Sequence, residues 1–523
     1  MSLPFSIADW VVIAAYVLLL LAGGWIFTPR NTGTAHDYFL AGGNVPAWLA
    51  AISVLSATQS AATFLGGPDY GYHGDLTYLG SNLGGLLGAM FVAHVMIPRF
   101  YAIRATTAYE LLTLRFSATA TRWAGGMFLI GRVFAGGARV YLAAIALAMV
   151  ITGTVEAQGI MIAAALLIVA SVLFTFVGGL KSVLWNDLIQ FVVYLGSAIA
   201  VVVFLRSSIP ATTGQIIDGL IHTPEGVNKL RLFDLSTDLS RPFSLLAVVT
   251  GVTLLYIANA GMDQDTTQRL LACKDARTGA RGLYLSVLAT VPVVGMFILI
   301  GLLLYVFYDR PDLMGGTTAA AGRSFGGEKI SIFMHYILTQ LPGGLRGLVT
   351  IGICAAAVAT TNSALNAMSS VLVQDFYRPW RERRGAPAAE RHYVQAGRAG
   401  MGVIGVAMFA MAVASFYWQR YSEMGLLEFA LQVMVFTYAG LLGVYFTALF
   451  TARGTTASVV AALIAGFAVV LLLQPAIARA IGLPGALSAL SFPFQLCIGT
   501  AIAFAICAAP RGMASASRPM QRA

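Results

Sequence analysis

The sequence predicts an all-α integral membrane protein of about thirteen spanning helices. Three observations carry that expectation. Of the 523 residues, 58% are hydrophobic and 10% charged, against roughly 25% charged in soluble domains. Mean hydropathy is +0.80. Apolar runs of the ~20 residues that a helix needs to cross a bilayer recur along the chain. Lipid gives a bare backbone nothing to hydrogen-bond, so such runs must be helical.

In order, the spans fall near residues 8–27, 46–67, 78–97, 123–152, 158–178, 184–205, 243–262, 282–308, 344–371, 399–418, 426–450, 456–478 and 488–508. The first has no basic stretch before it and reads as a span rather than a cleavable leader. Gly66-Gly67-Pro68 is expected to end the second span and Gly178-Gly179 the fifth. Gly136-Gly137 in the fourth reads as a close helix contact. The 378–391 segment reads as a solvated basic loop. No soluble domain is evident, so residues 1–523 read as one transmembrane unit.

The net charge of +10 sits in short connections and near the C-terminus. With the N-terminus outside, the inside connections hold Arg99, Arg104, Arg115, Arg122, Lys181, Arg269, Lys274 and the 378–391 arginines. That is the positive-inside pattern. It points to the lipid bilayer and an N-out, C-in orientation, not to nucleic acid. The four cysteines lack metal-ligand spacing and the histidines are scattered. No phosphate-binding loop or nucleophile elbow is present, so neither an ATP engine nor an enzyme is expected.

The chemistry is expected inside the spans. Residues 355–366 lie in a membrane-length run, yet carry Thr360, Thr361, Asn362, Ser363 and Asn366. Thr360 and Ser363 share a helical face. Oxygens there serve a bound cation or a facing helix. The second span has the same uncharged, hydroxyl-rich character, with Ser53, Ser56, Thr58, Gln59, Ser60 and Thr63. A break in it would free backbone carbonyls for a small cation and aim a half-helix N-terminus at an anion. Asp187 reads either as a wet helix-start acid or as a carboxylate on an ion route. Arg132 and Arg139 lie seven apart on one face of the fourth span, where an arginine is costly and implies a partner. A guanidinium can grip a carboxylate through two hydrogen bonds, and depth alone favours Arg139. The 263–269 run, with Asp263, Asp265 and Arg269, reads as a charged inner end of the seventh span that pairs locally, with a contribution to a gate as the alternative.

Several motifs together resemble the sodium:solute symporter family. They are Asp37-Tyr38-Phe39-Leu40-Ala41-Gly42-Gly43, the 56–66 stretch, Thr107-Ala108-Tyr109-Glu110-Leu111-Leu112, and Gly178-Gly179 with Trp185-Asn186-Asp187. Asp265-Thr266-Thr267-Gln268-Arg269, residues 355–366 and Asp375-Phe376-Tyr377 complete the set. The resemblance implies a LeuT-type fold: one leading helix, five helices (46–205), five more in inverted topology (243–450), and two trailing helices. It implies sodium-driven uptake of a small organic solute by alternating access, with no protein partner required. The implied sodium ligands are the carbonyls of Ser56, Gln59 and Ala356 and the hydroxyl of Thr360. Ala359 stands where the family has a further hydroxyl. Some relatives hold a second sodium at positions matching Asp187, Ala359, Asn362 and Ser363; in this chain those residues could instead line the ion path. Proton coupling, weak coupling and a solute sensor of the same fold are the alternatives.

In local pattern the chain is most similar to the family's sialic-acid transporter branch. That likeness rests on Gly42-Gly43-Asn44-Val45-Pro46-Ala47-Trp48, on Thr58, Ser60 and Thr63, and on Ile130-Gly131-Arg132-Val133. It implies that Arg132, rather than Arg139, holds a solute carboxylate, with Asn82 in place of a glutamine and Tyr78 beside it.

Overall fold

The computed structural model describes residues 5–27, 34–152, 156–316, 331–420 and 426–510, with a few positions between 318 and 329. Helix dominates the described residues. The leading helix α1 is Ile7–Phe27. A bent pair follows, α2 (Ala47–Thr58) and α3 (Ala61–His73), then four long helices. These are α4 (Thr77–Ala102), α5 (Ala118–Thr152), α6 (Ala157–Phe176) and α7 (Gly179–Ser207). The pattern then repeats. A second bent pair, α8 (Leu245–Gly261) and α9 (Gln264–Leu271), precedes α10 (Ala276–Asp309), α11 (Leu345–Arg383), α12 (Glu390–Arg420) and α13 (Leu426–Phe450). Helices α14 (Thr456–Leu472) and α15 (Phe492–Ala508) close the chain. Among the described residues, eight helices are long and apolar enough to cross a membrane, or ten if each bent pair is one span. The remaining three expected spans fall on the shorter apolar helices α1, α14 and α15.

The bends are not where the glycines pointed. The first pair turns by 67° between Thr58 and Ala61, at a Gln59-Ser60 link with extended backbone. Gly66, Gly67 and Pro68 lie inside α3, which continues to His73. Their role is close packing. A Cβ on Gly67 would come within 2.9 Å of Phe297 Cβ, and one on Gly71 within 2.4 Å of the Ile298 carbonyl. The α3 half of the broken span is thus pressed against α10. Lys229, from the connection after α7, caps its end by donating to the carbonyls of Tyr72 (2.7 Å) and Gly74 (3.0 Å). Burial pulls that ammonium below the usual lysine range.

The seventh expected span also differs. It bends by 54°, and the 263–269 run is not a solvated helix end. Asp263, Asp265 and Arg269 are all buried, because α9 packs against α2 and α11 instead of leaving the bundle. Gly179 does mark a boundary: at φ +57° it separates α6 from α7, and a Cβ there would meet the Tyr38 carbonyl at 2.4 Å. Gly136 and Gly137 contact Met408 and Met411 of α12, the close approach their size permits.

Helix α11 is the most enclosed of the long helices, 89% buried over its apolar window. The leading helix anchors it. Asp9 accepts from the backbone amides of Gly344 (2.8 Å) and Gly347 (2.6 Å). A carboxylate on the first free amides of a helix is favourable through both hydrogen bonds and the dipole.

Candidate functional site

The two bends face a shared interior. At the first, Ser60 caps α3, its Oγ accepting from Ala62 N (3.2 Å). Gln59 N still bonds the Leu55 carbonyl (2.8 Å), but the amides of Thr63 and Phe64 both turn to Ser60 O. The last carbonyls of α2, from Ser56 to Gln59, therefore have no helical amide to accept from. Helix α11 packs against α2. On it, the Thr360 hydroxyl donates to the carbonyls of Ala356 (3.1 Å) and Ala357 (3.0 Å). With its proton used inside the helix, that oxygen has only lone pairs left to offer. Free carbonyls and a lone-pair-presenting hydroxyl are the donor chemistry a small hard cation takes. The α2 carbonyls and the Thr360 hydroxyl have the chemistry to accept such an ion. Ala359 is fully buried and adds no oxygen, and the neighbouring Thr361 hydroxyl donates to the Ala357 carbonyl (2.8 Å).

Beside the first bend lies a polar-lined cavity. Thr58, Ser60 and Thr63 line one wall, Tyr78 and Ser81 of α4 another, and Asn259 of α8 a third. Its outer side is roofed by Phe243, packed against Tyr78 (centroids 5.0 Å apart), Tyr70 (5.5 Å) and Phe492 (6.1 Å). Asn82 is not among the lining residues; its amide donates to the Leu79 carbonyl (2.9 Å).

The arginine in this cavity is Arg139. It is 8% exposed, and its Nη2 donates to the Met434 sulfur, 3.4 Å away. Its Nε has no hydrogen-bond partner, and among the described ion pairs it has no carboxylate. Arg132, expected at the solute, is elsewhere. Two turns away, its Nη1 is 3.2 Å from Asp263 Oδ2 and its Nη2 pairs with Asp265 Oδ2. Tyr438 OH also donates to Asp263 (2.6 Å). The reason is the second bend: Asp263, whose Oδ1 caps α9 by accepting from Asp265 N (3.0 Å), delivers two carboxylates to the face of α5 where Arg132 lies.

Asp187 is fully buried, not wet. Its Oδ2 accepts from Ser53 Oγ and lies 3.3 Å from Arg269 Nη2. Arg269 also donates from Nε to Ser53 Oγ (2.7 Å), from Nη1 to Asp265 Oδ1 (2.7 Å), and from Nη2 to Ser363 Oγ. Asn362 turns away from this group. In the orientation that satisfies both its ends, its amide nitrogen donates to the carbonyls of Ser171 (3.1 Å) and Val358 (3.2 Å). The structure therefore separates a cavity whose charged lining residue is the guanidinium of Arg139 from a buried network of three aspartates and two arginines. That network went unforeseen. Its sequence signal was the Asp265–Arg269 spacing of four, which pairs on a helix, immediately after an apolar run.

A repeated unit of one bent and four straight helices, with polar groups at both bends, defines a LeuT-type secondary transporter. The sodium:solute symporter family model matches residues 38–466, and the chain belongs to that family. It is thus a sodium-coupled solute transporter of the membrane and not an enzyme. The sodium/sialic acid symporter SiaT of Proteus mirabilis (strain HI4320) is 27% identical over 392 residues, 74% of each protein. The human sodium/iodide cotransporter is 27% identical over 470 residues, covering 89% of this chain and 69% of its own length. The substrate-bound, outward-open structure of a sodium-coupled sialic acid symporter superposes with a TM-score of 0.78. That match spans 97% of this chain and 99% of the other at 24% identity, a likeness of fold.

Proposed function

We propose that this symporter carries a small organic solute bearing a carboxylate, and that Arg139 holds that group. One observation carries the reading. A buried guanidinium with no acid partner lines a cavity beside Thr58, Ser60 and Thr63. An uncompensated charge at this depth is costly and calls for an anion. The half-helix N-terminus of α3 adds a favourable dipole. The relatives' named solutes, sialic acid and iodide, are both anions, which supports the same class. Arg132 becomes a framework residue, and Asn82 supports the α4 wall from behind the cavity surface.

The carbonyls of Ser56, Gln59 and Ala356 and the hydroxyl of Thr360 would hold the coupling sodium. When bound, it supplies a positive charge that ties the end of α2 to α11, raising solute affinity by the ~1–3 kcal/mol usual for coupled sites. Residues 46–205 and 243–450 act as the two inverted repeats, with the solute between them. The basic connections support residence in the cytoplasmic (inner) membrane with the N-terminus outside and the C-terminus inside. No protein partner or nucleic acid is required.

The test is uptake into proteoliposomes by the full chain, with a panel of carboxylates, amines and neutral sugars, under imposed sodium or proton gradients. Uptake of a carboxylate driven by sodium is expected. Uptake confined to neutral or cationic solutes would remove the role given to Arg139.

A further inference from the structure

Asp187, Ala359, Asn362 and Ser363 are the positions at which family resemblance would place a second sodium, and the residues present do not fit one. Ala359 has no oxygen to give. Asn362 is engaged by Ser171 and Val358 on the far side of its helix. The remaining two, Asp187 Oδ2 and Ser363 Oγ, both face the same nitrogen, Nη2 of Arg269.

We propose that the Arg269 guanidinium stands permanently where a second cation would bind, so that this chain binds and couples a single sodium. The inference rests on the sodium-symport reading. Arg269 is fully buried, and its donors are all directed to oxygens of Asp187, Ser53, Ser363 and Asp265. A guanidinium offers hydrogens and no lone pairs, so it cannot ligate sodium. It also repels any cation brought beside it, and ε is low in such an interior. Asp187 has its counter-charge already. The guanidinium is tethered to α9, whereas Asp187 lies on α7, Ser53 on α2 and Ser363 on α11. The charge that joins these four helices therefore belongs to the protein and does not dissociate. Transport of a monoanion with one sodium moves no net charge; with two sodiums it would move one positive charge.

Equilibrium binding of radioactive sodium to the detergent-purified full chain tests this directly. One sodium per chain with a hyperbolic isotherm is expected. Two per chain would overturn the inference and leave the symport reading intact, whereas no bound sodium would overturn both. Reconstituted uptake of a monocarboxylate anion at a fixed sodium gradient should not change when an inside-negative potential is imposed. Several-fold acceleration by that potential would contradict single-sodium coupling. A variant combining Arg269→Gln, Ala359→Ser and Asn362→Ser, if it elutes as a monodisperse peak, should bind a second sodium. Unchanged stoichiometry in that folded variant would show that Arg269 is not what excludes the ion.

Discussion

The two bent spans solve one geometric problem with opposite chemistry. At the first bend, Gln59-Ser60, the interruption is uncharged: a serine caps the outer half-helix, and the inner half ends in free carbonyls. At the second, an aspartate caps the following half-helix and brings Asp263, Asp265 and Arg269 into the bundle with it. The first bend leaves oxygens for ligands that come and go. The second fills its own needs, through Arg132, Tyr438, Ser53 and Asp187. Helix α5 spans the difference. Arg132 serves the charged bend, and Arg139, two turns further on, reaches the cavity of the uncharged one.

This division can be broken from either side. The largest effect is predicted for Arg132→Ala, which leaves Asp263 without its cation and Asp265 with Arg269 alone in a dry interior. Stranding buried charge costs about 3–5 kcal/mol, so thermal unfolding in detergent should occur at markedly lower temperature and folded yield should fall. Arg139→Ala should act on the other function. Stability should hold, while solute affinity drops by the ~1.5–3 kcal/mol of a charge-assisted hydrogen bond, roughly 10- to 150-fold. The difference is read by solute-dependent thermal stabilisation. Lys229→Met removes the cap on the outer half of the first bend and should cost about 1 kcal/mol, seen as faster hydrogen exchange at Tyr70–Gly74 amides. Ala359→Ser sharpens the comparison by adding an oxygen near the first bend. A net gain of about 1 kcal/mol would lower the sodium concentration for half-maximal uptake roughly five-fold.

Much of this was readable from sequence. Apolar length placed the spans, and hydroxyls in 56–66 and 355–366 marked the faces proposed to bind the cation, because lipid has no use for such oxygens. Locating the bend at Gln59-Ser60 was harder. Gly66-Gly67-Pro68 looks like a helix end, but the small size of these glycines serves contact with Leu427 of α13 and Phe297 of α10, which only the packed structure displays. The charged run at 263–269 misleads for a related reason. Acids and an arginine after an apolar stretch resemble a helix end in water, and only the 54° bend that lays α9 against α2 and α11 buries them. The choice between Arg132 and Arg139 is tertiary in the same way. Both lie on one face of α5, and what separates them is a pair of aspartates more than a hundred residues away. Depth in the span favoured Arg139; local motif similarity favoured Arg132.

The division of labour between the two arginines is tested most directly by sodium-driven carboxylate uptake in proteoliposomes for wild type and Arg139→Ala, with equal amounts of monodisperse protein. Loss of uptake by at least ten-fold at sub-saturating solute, with an unfolding temperature unchanged from wild type, is the predicted result. Wild-type uptake in Arg139→Ala would contradict it and return the solute's carboxylate to another residue.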